Sequence, residues 1–210
     1  DPDMAVLCEL TLKAARPLLL AALRDGSSVP VRLTAATALL AEGSVEAVSA
    51  VCTALRDDPF WGVRAKLAGA LSKRGGAEAR AALLGAMGDT HPKSRRAIVA
   101  ALGAFRTAEV RDALATLVAS GDPSLQVEGE ALKSLGQTRD ARVPALAERM
   151  LAQDSWGDLL RMRALQALGA SRDADALPTL LAHTADAVSD RARFAAAGAL
   201  GQLAHDVETA

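Results

Sequence analysis

Apolar residues along this chain recur at i, i+3, i+4 and i+7, the spacing of one helix face and not the alternation of a strand. The clearest stretch runs from Asp58 to Gly75, D-P-F-W-G-V-R-A-K-L-A-G-A-L-S-K-R-G. Val63, Leu67, Ala70 and Leu71 form its apolar stripe. Asp58 is predicted to cap the helix, because a carboxylate accepts hydrogen bonds from the free N–H groups of a first turn. Pro59 suits the first helical position, where no N–H is needed, and Gly75-Gly76 is the predicted stop.

The same pattern occurs six times. Its anchor is a leucine near the helix end: Leu39, Leu71, Leu102, Leu135, Leu168 and Leu200. Successive spacings are 32, 31, 33, 33 and 32 residues. Seven residues before each anchor stand Arg32, Arg64, Arg95, Glu128, Arg161 and Arg193. Six or seven residues earlier come Asp25, Asp58, Asp89, Asp122, Asp154 and Asp186. A period near 32 with two helical patterns per unit predicts an all-α fold, a right-handed α-solenoid (an α-α superhelix) of about six helical hairpins.

Taken in order, residues 4–13 read as the end of a helix, and Pro17 as the start of the next, running to Arg24. Val31–Ala41 completes that unit. The following pairs are 45–56 with 59–74, 77–87 with 92–105, and 108–119 with 123–136. The last two are 141–152 with 155–170 and 174–184 with 188–204. Ser44 is a predicted N-cap, and Pro144 and Pro178 fall where a first turn tolerates proline. Linkers of two to five residues fit antiparallel neighbours, and no domain boundary is apparent. The predicted organisation is one repeat domain over residues 1–210. The last helix is still apolar at Phe194, Ala197, Leu200 and Leu203, and the chain starts abruptly at Asp1-Pro2. Both ends predict a piece of a longer protein.

Composition narrows the function. Aromatics are 2% of the chain, so the core must be built of Leu, Ala and Val. A net charge of −1 speaks against a dedicated nucleic-acid binder, which needs a basic surplus to neutralise phosphates. No apolar run is long enough for a membrane span. Cys8 and Cys52 read as small apolar core residues of a reducing compartment, and the expected location is cytoplasmic.

Candidate chemistry is sparse. The Asp/Arg pairs Asp25–Arg32, Asp58–Arg64, Asp89–Arg95, Asp154–Arg161 and Asp186–Arg193 read as a structural ladder, each Arg reaching the Asp of its own unit or a neighbour's. The other reading is an Arg row for an acidic partner. Glu128 interrupts the row. A surplus basic set on the second helices, Lys66, Lys73, Arg96, Lys133 and Arg163, with Arg74, Arg106, Arg139, Arg172 and Arg191 beside it, is a candidate binding surface on a concave face. Its plain alternative is a solvated charged face. His91, His183 and His205 have no ligand-spaced companions, and H-E-x-x-H, G-x-S-x-G, G-x-x-x-x-G-K-[ST] and C-x-x-C are absent. No catalytic, cofactor-binding or metal residue is assigned. Phe60-Trp61 and Trp156 are expected to pack in the core between units, with a peptide-binding platform as the other use of the pair.

An Asp, an Arg six residues on and an Ala/Leu-rich second helix resemble HEAT or HEAT-like repeats across essentially the whole chain. Four segments sharpen the resemblance: D-P-F-W-G-V-R at 58–64, D-T-H-P-K-S-R-R-A at 89–97, G-D-P-S-L-Q-V-E-G-E-A at 121–131 and D-S-W-G-D-L-L-R at 154–161. In this order they resemble the C-terminal HEAT-like region of bacterial zinc aminopeptidases of the aminopeptidase N family. That resemblance implies a parent enzyme holding one zinc, with this piece packing on the catalytic unit and limiting peptide access. The zinc-binding and amine-binding motifs of that family are absent here, so the chain itself is expected to be no enzyme and to hold no cofactor. The expected partner is a catalytic domain of the same polypeptide or another protein, with neither nucleic acid nor membrane. The alternative is a free-standing HEAT-repeat interaction scaffold, such as a subunit of a bilin lyase or of a signalling complex.

Overall fold

A computed structural model of the chain describes the backbone of residues 2–185 and 188–208 and the side chains of residues 14–185 and 188–204. Asp186 therefore lies outside the described residues, as do the side chains of Cys8 and His205. The described residues form twelve α-helices and no strand. They fall into two compact units, residues 1–101 and 102–210.

The first unit holds α1 (Pro2–Asp25), α2 (Val29–Glu42), α3 (Val45–Asp57), α4 (Trp61–Arg74), α5 (Ala77–Gly85) and α6, which starts at Pro92 and ends at Leu102. Helices pair in hairpins, and α2 packs beside α4 while α3 packs beside α5. The core is the predicted leucine stripe: Leu39, Leu55, Leu67, Leu71 and Leu83 are at most 1% exposed. Ser44 caps α3, its hydroxyl accepting from the Ala47 N–H at 3.2 Å. Gly75 ends α4 with φ 72°, a left-handed value that glycine takes without strain.

Two local expectations are corrected. The chain does not stop before Pro17; α1 runs through it as one helix. Proline removes a single N–H from the ladder, and Leu23 still buries against the next helix, so packing overrides the local break. Asp58 is not the N-cap of α4 either. Phe60 holds that position. Asp58 Oδ1 instead accepts from the Phe60 N–H at 2.9 Å, a tight Asx turn two residues on, and Pro59 sits inside that turn. Asp89 does the same with the His91 N–H at 2.8 Å, ahead of Pro92 at the start of α6.

The second unit holds α7 (Ala108–Ser120), α8 (Leu125–Gln137), α9 (Val143–Leu151), α10 (Leu159–Ser171), α11 (Leu177–Ala182) and α12 (Asp190–Glu208). Helix α8 packs on α10, and α10 on α12. Leu114, Leu132, Leu135, Met150 and Leu160 are at most 1% exposed. Glycines let these helices approach. A Cβ on Gly136 would lie 2.4 Å from the Ala167 carbonyl oxygen, and one on Gly169 would lie 2.6 Å from the Ala199 Cβ. Among the described residues no helix is long and apolar enough to cross a membrane.

Candidate binding groove

In the first unit, the Asp/Arg positions form a ladder with one rule. Arg32 and Arg64 each reach forward to the carboxylate of the next repeat and donate back to a main-chain carbonyl of their own. Arg32 Nε and Nη2 lie 2.7 and 3.2 Å from Asp58 Oδ2 and Oδ1, while Nη1 donates to the Gly26 carbonyl at 3.0 Å. Arg64 Nε and Nη2 lie 2.6 and 2.8 Å from Asp89, and Nη1 donates to the Asp58 carbonyl at 2.7 Å. Arg95 Nη1 repeats the backward bond to the Asp89 carbonyl at 2.8 Å. These guanidinium forks are nearly buried, with Arg32 and Arg64 side chains each 11% exposed. Such pairs fix register more than they add net stability.

Burial pushes the Asp89 carboxyl up. Hydrogen bonds from Arg64, the His91 N–H and the Ser94 hydroxyl, with the Arg64 charge, outweigh it and hold the group at about 2 instead of 3.8. The Asp89 bond in turn raises Arg64. Asp25 pairs with its neighbour Arg24 at the exposed surface and not with Arg32.

In the second unit the described ion pairs of the corresponding arginines lie within their own repeats. Arg161 pairs with Asp158 and not with Asp154, and Arg193 pairs with Asp190 at 3.6 Å. The cause is local. Gly157 and Asp158 take left-handed backbone at φ 62° and 56°, so α10 opens on a 3₁₀ turn and Asp158 stands nearest the guanidinium. At Glu128 burial raises the carboxyl, with Asp122 adding like-charge repulsion. Between α8 and α10 the charged link is Glu130. Its nearly buried carboxylate lies 3.1 Å from Lys133 Nζ and 3.1 Å from Arg163 Nη2.

Phe60 and Trp156 do not pack in the core between repeats, whereas half-buried Trp61 meets the next repeat at His91. Phe60 is 42% exposed, and Trp61 stacks on His91 with centroids 4.5 Å apart and planes 4° apart. Lys93 Nζ lies 5.0 Å from the Trp61 ring. This is a surface cluster at the starts of α4 and α6. Trp156 is 88% exposed, with the Arg191 guanidinium 5.8 Å from its ring. The 3₁₀ turn takes it off the helix face that packs.

Of the surplus basic set, Lys66 and Lys73 are exposed on α4, and Arg96 is half-buried on α6. Lys133 and Arg163 line a groove in the second unit. The groove has two connected parts of 540 and 290 Å³, sharing Gln137, Ala170, Gly198 and Gln202. Arg106 and Arg172 line the larger part; Lys133, Arg163, Gln166 and Phe194 line the smaller. Among the described residues no carboxylate lines either part. The three glutamines carry no charge to mark them in the sequence, although Gln137 and Gln202 share one register, two residues after their anchor leucines. Among the described residues no three His, Cys, Asp or Glu side chains gather as a metal site.

Comparison with known proteins supports the repeat reading. The family profile for HEAT repeats matches residues 5–72, 48–125, 81–159 and 117–201. No protein of curated function matches the chain. A solved structure of human deoxyhypusine hydroxylase in complex with glycerol is similar over 98% of this chain and 100% of that one, with TM-score 0.50 and 19% identity. That likeness is one of fold. It corrects the expectation that the chain is no enzyme, because a helical stack of this kind and length is there an enzyme. None of these findings supports the aminopeptidase resemblance. With matched segments running almost end to end, the chain belongs to the HEAT-repeat family.

Proposed function

We propose that the chain is a protein-binding module whose partner lies in the groove along α8, α10 and α12. The observation that carries this reading is the groove's lining: four cations and three amides converge on a cavity of several hundred Å³ that, among the described residues, no carboxylate lines. Exposed cations in a surface of net charge −1 are normally interspersed with acids. A sheltered one-sign groove instead focuses potential on whatever enters it. Its cavities fall in the size range of binding sites. The partner is a catalytic domain in the same polypeptide or a separate protein, and the groove serves a zinc aminopeptidase's accessory region or a free-standing scaffold equally well.

The test is selection of a random peptide library on the folded chain, followed by hydrogen exchange of the chain with each selected peptide. Protection confined to α8, α10 and α12 supports the reading. Protection elsewhere, or no peptide selected, refutes it.

A further inference from the structure

We infer that the groove takes an extended acidic segment, entering with its main chain over α12. This rests on the groove being the partner site. Three independent features of its walls specify the occupant.

The first is charge. Arg106, Lys133, Arg163 and Arg172 line it, and Glu130 behind Lys133 and Arg163 is 7% exposed and held between them. Glu130 therefore orients two cations without presenting its own charge to an incoming group. Arg106, Lys133 and Arg163 against that one sheltered acid leave positive charge in excess, which complements carboxylates.

The second is the amides. Gln137, Gln166 and Gln202 each offer a donor and an acceptor, the pairing that an extended peptide backbone needs and that phosphates do not use. Arg163 Nη1 donates to Gln166 Oε1 at 3.0 Å, so this amide is held in place by the same cation that reads charge.

The third is space. Gly136, Gly169 and Gly201 occupy one register, each a residue after its anchor leucine. The first two are filled by the next helix, against Ala167 and Ala199. A Cβ on Gly201 would meet nothing within 4 Å, and neither would one on Gly198. Both are exposed on α12 and line the groove. Among the described residues nothing packs on these two helix-weakening glycines, a low floor where another main chain can approach. Phe194, 82% exposed at the groove's edge, offers an apolar shelf for a side chain of the segment.

The test is fluorescence anisotropy of the whole chain with a labelled peptide of alternating Glu and Ala. Its Gln and Lys counterparts and an oligothymidine of equal length serve as comparison probes. The Glu peptide is expected to bind about tenfold or more tighter than the Gln peptide at low salt, with the gap closing as salt screens it. Arg163→Gln, Lys133→Gln and Arg172→Gln are each expected to weaken it about two- to fivefold. Lys66→Gln and Lys73→Gln, in the other unit, leave it unchanged, and circular dichroism checks that every variant is folded. Equal binding of the Gln peptide, equal loss in the Lys66 and Lys73 variants, or tighter binding of the oligonucleotide overturns the inference. If library peptides protect the groove while the acidic peptide has no advantage, the occupant is wrong and the groove stands. If they protect another surface, both fall.

Discussion

Replacing Asp89 by Asn tests the ladder at its most loaded rung. The carboxylate accepts from both arms of the Arg64 fork, from the His91 N–H and from the Ser94 hydroxyl, and its side chain is 6% exposed. Asparagine keeps the shape and one acceptor but loses the charge, and leaves the Arg64 guanidinium buried without its anion. The magnitude comes from two directions. A carboxyl held at about 2 in the folded chain and near 3.8 when unfolded stores about 2.5 kcal/mol at neutral pH. Removing one partner of a buried pair costs about 3–5 kcal/mol, and the surviving Asn contacts return part of it. The expected loss is therefore about 2–3 kcal/mol, or about 5–10 °C in Tm for a chain of this length. The sign with pH follows from the depressed value. The contribution is fully present above the unfolded pKa and is lost as pH falls from about 4 to about 2. Urea unfolding of the wild type and Asp89→Asn, at pH 7, 4, 3 and 2, reads the difference between them, in which other titrating groups cancel. Hydrogen exchange in α4 and α6 places it. A difference below about 0.5 kcal/mol at pH 7, or one that does not shrink toward pH 2, would refute the reasoning.

Other expectations follow from single contacts. Gly136→Ala drives a Cβ against the Ala167 carbonyl and is expected to cost about 1–3 kcal/mol, whereas Gly201→Ala, in the same register with open space, is expected to be neutral or stabilising by up to about 1 kcal/mol; urea midpoints compare them. Leu135→Ala, from a fully buried site, is expected to cost about 2–5 kcal/mol, and Trp156→Ala, from an 88% exposed one, about 0.5 kcal/mol or less, read by the same melts. Burial, aided by the Glu78 charge, pushes the Cys52 thiol up to about 11, so in a Cys8→Ser background it is expected to react with Ellman's reagent at pH 8 well below the rate of a free thiol; a rate equal to glutathione's would contradict this.

The hairpins were legible because a buried leucine every 32 or so residues leaves a helix no other face to bury. Ser44, Pro144 and Pro178 punctuate helices where the sequence placed them. Pro17 and Asp58 misled for one shared reason. Local signals give what a residue can do alone, and both residues answer to a neighbour: Pro17 to the packing of α1 on α2, and Asp58 to Arg32 of the preceding repeat. The groove was legible only as residue types. Lys133, Arg163, Arg106 and Arg172 were visible as surplus charge, but their convergence depends on how α8, α10 and α12 stack. Trp156 read as a core residue because nothing in the sequence announced left-handed backbone at Asp158, a non-glycine residue.

The interruption of the Arg row at Glu128 and the groove have one physical origin. Where the first unit sets helix spacing with long Arg–Asp forks, Glu128 occupies the guanidinium position and no such fork forms on α8. Spacing on that helix is set by contact. Gly129 brings the Arg163 stem within 2.7 Å of where a Cβ would sit, and Gly136 brings in the Ala167 main chain. Close approach at Gly129 delivers the Arg163 head to Glu130, which also holds Lys133. The same residues thus lock α8 to α10 and aim two cations into the groove. A Gly129→Ala variant should then do two things at once: lower stability by about 1–3 kcal/mol, and displace Arg163 so that the acidic peptide weakens by about as much as in Arg163→Gln. Loss of stability with full peptide affinity would separate the lock from the site and break this link between them.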